Sequence, residues 1–236
     1  MKKLLILLPI FFLLPNISHA AIAFGAISAV STSQTPTSVA VSGADTIGLV
    51  YVVGDTAADN ITAVTWNGVS MTKIAAVQTP TDRWISVWWI ANPASATTIS
   101  FTGGAFWRSY SSYYTGAKQT GQPDSSATNT NTASTGITAA TTVVADNSWL
   151  VLFQKDKTGG ITYTAANDIA SMRANTDDGG IAIGDSNTTV ATGSRTGGVT
   201  SGTSSDHGAI AFSIAPVAVA VTLKSILAAI LQWRIF

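Results

Sequence analysis

The 236-residue chain contains no cysteine, and all 12 of its acidic residues are aspartate. Without cysteine there can be no disulfide, no thiolate zinc site, no cysteine nucleophile and no lipidated cysteine at a signal cleavage point. Charged residues make up only 10% of the chain, with 12 basic residues against 12 acidic ones. Because the sequence has no run of Lys or Arg that could bind a phosphate backbone, we expect no nucleic-acid partner.

The N-terminus has the pattern of a secretory signal peptide. Two lysines precede an apolar run from Leu4 to Leu14, which ends at Pro15. Ser18 and Ala20 then follow at the spacing that a signal peptidase recognises. A membrane anchor would need about 20 apolar residues, and this run is about half that length. The sequence therefore predicts a signal peptide over residues 1–20 and a secreted, extracellular or cell-surface protein.

The C-terminus is a second apolar segment, residues 217–236, with the sequence VAVAVTLKSILAAILQWRIF. Its large aliphatic residues recur at helical spacing, which predicts a short apolar, amphipathic helix. Three alternatives stay open: a transmembrane helix, which Lys224 disfavours, a helix lying on a membrane surface, and a helix packed on the domain or on a neighbouring copy. Membrane-surface binding or self-association through this tail is therefore expected.

Between the two ends, residues 21–216 are predicted to form one all-β domain. Short β-rich runs alternate with Gly, Asn, Asp and Ser/Thr clusters, and no helical period interrupts them. So many strands cannot stay as one flat sheet, so we expect a two-sheet antiparallel β-sandwich of the jelly-roll kind. The predicted strands cover residues 46–53, 61–66, 69–77, 83–90, 97–102, 107–115, 137–144, 149–154, 161–165, 169–175, 180–184 and 208–214.

Turn residues mark the connections between these strands. Asn67-Gly68 tolerates positive φ at both positions and predicts a type I′ hairpin between the second and third strands. Residues 115–135 are polar throughout and predict a long loop or edge excursion, and residues 185–206 predict a second Gly/Thr-rich loop.

The order of several motifs resembles an uncharacterised β-sandwich domain found in secreted bacterial surface proteins and in phage structural proteins. The motifs are ITAVTWNGVSMTKI, ISVWWIANP, TTISFTG, YSSYYTGAKQTGQPDSS, DNSWLVLFQ and HGAIAFSIAP, which together span roughly residues 61–216. The resemblance implies a surface or secreted module of the sort that stands beside adhesive or glycan-associated modules, with no established active site.

The sequence offers no convincing catalytic set. Ser205, Asp206 and His207 are consecutive, and neighbouring strand residues point to opposite faces, whereas a triad is assembled from separated positions. Most of the aspartates lie in turns, where their side chains cap the local backbone. The two dense groupings, Asp55 with Asp59 and the Asp177-Asp178-Gly179-Gly180 turn, lack the EF-hand spacing, so solvated turns are favoured over calcium sites. We therefore expect no enzyme, no metal and no cofactor.

Aromatic residues are the remaining signal. Strand alternation places Trp84 and Trp88 on one face with Ile90, and Trp89 on the other with Arg83. At least one face should be core, and the resemblance to the β-sandwich domain implies that Trp88 is a buried residue. An exposed aromatic ring beside polar groups can stack on a sugar, although packing in the core is the more common use. The candidate ligand-binding residues are Trp89, Arg83, Trp107, Tyr110 and Tyr114.

Two functions follow from these features. The first is a secreted or cell-surface, non-catalytic protein with a structural or adhesive role. The alternative is a carbohydrate-binding, lectin-like module that uses exposed Trp and Tyr on a sheet face. The expected partner in either case is a glycan or a component of the cell envelope.

Overall fold

A computed structural model describes residues 18–56, 58–80, 83–104, 106–176 and 179–219. Residues 1–17 of the predicted signal peptide, and the predicted C-terminal helix from residue 220 onward, lie outside the described residues. In the part of the chain that is described, no helix is long and apolar enough to cross a membrane. The described elements are strands in antiparallel sheets, which confirms the all-β prediction.

The strands, numbered in chain order, are β1 (Ser18–His19), β2 (Ala23–Ile27), β3 (Ile47–Gly54), β4 (Ile61–Trp66), β5 (Val69–Ser70), β6 (Thr72–Gln78), β7 (Trp84–Ala91), β8 (Ile99–Gly103), β9 (Phe106–Thr115), β10 (Ser125–Val143), β11 (Trp149–Asp156), β12 (Tyr163–Asn167), β13 (Ser171–Thr176), β14 (Ile181–Asp185), β15 (Gly193–Ile214) and β16 (Ala218–Val219). β1 and β16 form a two-stranded antiparallel sheet in one unit of the chain. All other strands belong to a second unit, residues 20–217.

Two large sheets form the centre of this second unit. Sheet I has the strand order β2-β9-β3-β7-β6, and sheet II has the order β10-β15-β11-β14-β13, with β12 also paired to β15. Aliphatic and aromatic side chains from the two sheets interlock in a central core. Tyr51 of β3 meets Phe153 of β11 there, edge to face, with ring centroids 5.3 Å apart. This packing matches the predicted face-to-face arrangement of sheets.

Each large sheet is also covered on its outer face. A small sheet, β5-β4-β8, lies over sheet I and encloses a first outer core that includes Trp66, Trp84 and Trp88. On sheet II, the first half of β15 pairs with β12 and with the second half of β10. These segments enclose a second outer core that includes Leu152 and Tyr163. Because both faces of each large sheet are buried, β3 and β11 are buried along their whole length, as their near-continuous apolar sequences require.

The two large sheets repeat one strand pattern. Numbered along the chain, the five strands of sheet I and the five strands on the path of sheet II both have the order 1-5-2-4-3 across the sheet. Two segments at matching places in this pattern, ITAVTWN at residues 61–67 and ITYTAAN at residues 161–167, share their first two residues and their last. Both segments end in an asparagine with positive φ, 53° at Asn67 and 57° at Asn167. We call residues 23–115 the first repeat and residues 125–214 the second repeat.

The predicted Asn-Gly turn has the expected backbone, since Asn67 and Gly68 have φ values of 53° and 75°. The strand after it differs from the prediction. β5 pairs with β4, and the chain then leaves the small sheet so that β6 can pair with β7 in sheet I. Met71, between β5 and β6, is buried in the first outer core, and its burial fixes the point where the chain changes sheets.

The two predicted loops are largely strand. β10 begins at Ser125 and β15 begins at Gly193, so much of residues 115–135 and 185–206 is paired. The two strands form one long antiparallel ribbon, from Ser125↔Ser213 to Val143↔Gly193. Backbone hydrogen bonds hold this ribbon, and its exposed positions are mostly Ser, Thr and Asn. The apolar alternation on which the strand prediction depended is therefore missing there.

Candidate functional site

The tryptophans of β7 lie on the predicted faces. Trp84 and Trp88 are 1% and 4% exposed in the first outer core, and Trp88 Nε1 donates a 2.9 Å hydrogen bond to Ser86 Oγ. Trp89 points to the other side of sheet I, where it is half-buried against the central core. The prediction that Trp88 is buried is confirmed, and both faces of the strand are core faces.

The five predicted ligand-binding residues do not form an open aromatic face. Tyr110 and Tyr114 are 3% and 0% exposed in the central core, so the prediction that they stack on a ligand at the surface is wrong. Sheet II covers the face of sheet I that would have presented them. Arg83 is half-buried, with Nη1 3.2 Å from Asp55 Oδ1. The side chain of Trp107 lies outside the described residues.

Trp89 can be tested as a packing residue by Trp89→Ala. Because the ring packs against the central core but keeps some solvent exposure, we expect the free energy of unfolding to fall by about 2 kcal/mol, below the range for fully buried tryptophan. Urea denaturation measures this loss. The control is Val69→Ala, since Val69 is 58% exposed and its removal should change stability by less than about 0.5 kcal/mol. Unchanged stability in Trp89→Ala would contradict the packing role.

An ion pair of the second repeat, between Arg173 and the buried Asp185, contacts side chains of the first repeat. Arg173 donates from Nε to Asp185 Oδ2 at 2.7 Å and from Nη2 to Asp185 Oδ1 at 2.8 Å. Tyr114 of the first repeat donates to the same Asp185 Oδ2 at 2.9 Å. The guanidinium also lies over the ring of Phe24, 4.2 Å from its centroid. We call these four residues the inter-repeat cluster, because a carboxylate from one repeat binds a hydroxyl from the other.

Burial changes the acidity of the tyrosines next to this cluster. It raises the pKa of Tyr51 above its usual value, since removal from water disfavours the phenolate, and the nearby Asp185 carboxylate adds to the effect. Burial likewise raises the pKa of Tyr114, with further contributions from Tyr51 and Asp185. Both phenols therefore remain protonated donors across the physiological pH range.

A second cluster of buried polar side chains surrounds His207. Its Nε2 lies 2.9 Å from the carbonyl oxygen of Ser134, to which it donates, and its Nδ1 lies 3.3 Å from Gln154 Oε1. Next to it, Tyr163 donates its hydroxyl proton to Asp156 Oδ2. Burial raises the pKa of Tyr163 above its usual value, and the bond to Asp156 contributes in the same direction.

The consecutive Ser205, Asp206 and His207 side chains bond to different neighbours. Ser205 Oγ lies 2.8 Å from Thr158 Oγ1, and Asp206 Oδ1 accepts a 3.0 Å bond from the backbone N–H of Ala133. His207 points inward, toward Gln154 and the Ser134 carbonyl. The expectation from strand alternation, that these three residues do not form a triad, agrees with this geometry.

A polar pocket lies where β10 bends. The register with β15 shifts between Asn131 and Gly136. Asn129 and Asn131 donate from Nδ2 across this bend, to the carbonyl oxygens of Thr138 at 2.6 Å and Gly136 at 2.7 Å. The resulting pocket, which we call the elbow pocket, has a volume of about 340 Å³. Its hydroxyl and amide lining consists of Asn129, Asn131, Ser134, Thr135, Thr138 and Thr200.

The bend leaves one hydrogen-bond acceptor unused. Asn131 Oδ1 is buried from solvent and has no hydrogen-bond partner among the described residues. The sequence pattern of residues 115–135 predicts a loop and therefore gives no indication of this pocket. The only sequence signal for it is the repeated Asn-Thr pattern at residues 129–132, which places two amides on the same strand.

The aspartates considered for calcium are engaged elsewhere or not described. Asp59 Oδ2 is 2.6 Å from Lys73 Nζ, and Asp55 contacts Arg83. Asp177 and Asp178 lie outside the described residues. Within the described ranges, no group of three or more histidine or aspartate side chains is placed to hold a metal ion.

Comparison of the chain with protein-family models, with curated proteins and with solved structures finds no match.

Proposed function

We propose that the chain is a secreted or cell-surface, non-catalytic protein with a structural or adhesive role. The observation that carries this proposal is the shared central core, to which both repeats contribute large apolar side chains. The two large sheets, which bury one face each in this core, cannot separate without exposing that surface to water, so the domain should resist unfolding as one unit. Such rigidity suits a module that must persist outside the cell without a disulfide.

The arrangement of ionisable groups supports the same role. Asp185 is completely buried and bonds to Arg173 and Tyr114, and Asp156 is completely buried and bonds to Tyr163. Each of these buried carboxyl groups has its hydrogen-bond partners inside the protein, as a buried polar group of a stable fold requires. Their use in internal bonds favours a structural protein.

We also propose where the protein is located in the cell and which type of β-sandwich it forms. The signal-peptide pattern of residues 1–20 supports export, and residues 217–236 would attach the domain to a membrane surface, to the envelope or to a neighbouring copy. The resemblance of residues 61–216 to the secreted and phage-associated β-sandwich domain supports an extracellular module. We assign the sheet pairs to the jelly-roll-like sandwich type on the same grounds.

Carbohydrate binding is the alternative function. Burial of the aromatic residues argues against a sugar site made of exposed Trp and Tyr side chains. Two of the five candidate ligand-binding residues, Tyr110 and Tyr114, are buried in the central core. Trp89 and Arg83 keep partial exposure, but both contact other side chains of the domain. A sugar site would have to be built on polar groups instead.

Cell fractionation tests the proposed location. We expect the full chain, expressed in its native host, to lose residues 1–20 and to be found in the envelope or extracellular fraction. A chain that ends at Val219 should shift from the envelope fraction to the medium if the tail anchors it. The control Leu7→Arg interrupts the apolar run and should retain the protein inside the cell. Uncleaved wild-type protein in the cytoplasm would contradict the proposal.

A further inference from the structure

We propose that the elbow pocket binds an uncharged, polyhydroxylated ligand with the chemistry of a neutral sugar ring. The proposal rests on the meeting of two side-chain amides and four hydroxyls at the bend of β10. It does not depend on the structural role proposed above, which is carried by the central core.

The hydrogen-bonding groups of the pocket match those of a sugar. A sugar hydroxyl both donates and accepts, and the Ser and Thr hydroxyls and the Asn amides offer both functions. Asn131 is the most specific of them. Its Nδ2 is committed to the Gly136 carbonyl, whereas its Oδ1 is covered and has no hydrogen-bond partner among the described residues, so a small movement of the Asn131 amide on binding would let Oδ1 accept a hydrogen bond from a ligand hydroxyl. A buried acceptor without a partner is costly, and a bound hydroxyl would remove that cost.

The charge of the lining favours a neutral ligand. None of the residues that line the pocket is ionisable. The carboxylate of Asp206 is held beside the bend by the Ala133 N–H, where it would repel an anion. A charged ligand would lose water in the pocket without gaining a counter-charge from its lining, which is unfavourable.

The pocket is held in place before any ligand binds. His207 is completely buried and bonds to the Ser134 carbonyl behind the bend, and the Ala133 N–H bonds to Asp206. Ile137 and Val199 are 2% and 1% exposed, and they join the lining to the second outer core. Rigid walls reduce the entropy lost on binding. The volume of about 340 Å³ lies at the lower end of small-ligand sites, which fits a single sugar ring.

The test is a binding titration of the full chain with methyl glycosides of glucose, galactose, mannose and N-acetylglucosamine. Saturation-transfer NMR detects the bound glycoside. Glucuronic acid serves as the anionic comparison. The blocking variant is Thr138→Tyr. Thr138 is exposed and lies opposite Gly198, so a ring there can enter the pocket without disturbing the core. The matched control is Thr142→Tyr, at an exposed position on the same face of β10 but outside the pocket lining.

We expect saturable binding of at least one neutral glycoside, with a dissociation constant on the order of 1 mM, and weaker binding of glucuronic acid. Thr138→Tyr should weaken binding at least about tenfold, while Thr142→Tyr should bind like wild type. The proposal is overturned if no neutral glycoside binds, if glucuronic acid binds more tightly, or if Thr138→Tyr and Thr142→Tyr behave alike. Unfolding midpoints of the two variants show whether the fold is retained.

Discussion

Replacement of Arg173 by methionine is expected to lower the free energy of unfolding by about 3–5 kcal/mol. Methionine keeps much of the side-chain volume but removes both charge-assisted bonds to Asp185. The carboxylate is completely buried, and among the described residues only the Tyr114 hydroxyl and the Asn187 N–H would remain to bind it. Guanidinium chloride denaturation at neutral pH, with the midpoint and the slope both fitted, measures the loss.

The size of this effect depends on the uncompensated charge, and two further variants test that cause. Arg173→Met combined with Asp185→Asn removes the charge together with its partner, so a substantial part of the lost stability should return. Arg195→Met is the control, since Arg195 is partly exposed and bonds through Nε to the Ala191 carbonyl at 2.9 Å. It should change stability by less than about 0.5 kcal/mol. A loss below about 1 kcal/mol in Arg173→Met would show that Asp185 is not held as the structure describes.

A steep loss of stability above pH 10 is the second large effect that we expect. The pKa values of Tyr51, Tyr114 and Tyr163 are all raised in the folded protein, chiefly by burial, above the usual value of 10.0. Below pH 10 these phenols are protonated in both the folded and the unfolded chain, so they contribute no pH dependence there. Above pH 10 the unfolded chain releases protons that the folded chain retains, which favours unfolding.

Each such tyrosine lowers the free energy of unfolding by about 1.4 kcal/mol per pH unit, so the three together give about 4 kcal/mol per pH unit. Denaturation midpoints between pH 8 and pH 11.5 measure this slope. Tyr51→Phe should reduce the slope by about one third, and at pH 8 it should cost about 1 kcal/mol through loss of the contact with Ser112. Equal alkaline slopes for wild type and Tyr51→Phe would rule out Tyr51 as a source of the effect.

Strand positions rich in apolar residues were predictable from the sequence, and the polar ribbon was not. β4 and β7 lie within one residue of their predicted limits, because alternation and turn residues mark them clearly. β10 and β15 were predicted only near one end. Their remaining residues are ordered by backbone pairing with each other, and Ser, Thr, Asn and Gly side chains leave no apolar period to detect.

The candidate site was predicted less well than the fold, for a reason that Tyr110 and Tyr114 illustrate. Alternation along β9 shows that both side chains are on the same face, but it cannot show what lies opposite that face. The second repeat covers it, so residues that could have stacked on a ligand instead form the central core. Conversely, Asn131 and Thr138 come together only because β10 bends between them.

The sequence by itself determined the all-β class, the Asn67-Gly68 turn and the faces of the β7 tryptophans, because these depend on local backbone preference and on the two-residue period of a strand. Tertiary structure alone decided which faces are buried, where Asp185 finds its partners and where the elbow pocket lies. These features arise from contacts between residues far apart in the sequence, such as the Tyr114–Asp185 bond, whose partners are 71 positions apart. A local pattern carries no information about such contacts, since any open sheet face can be covered by another part of the chain.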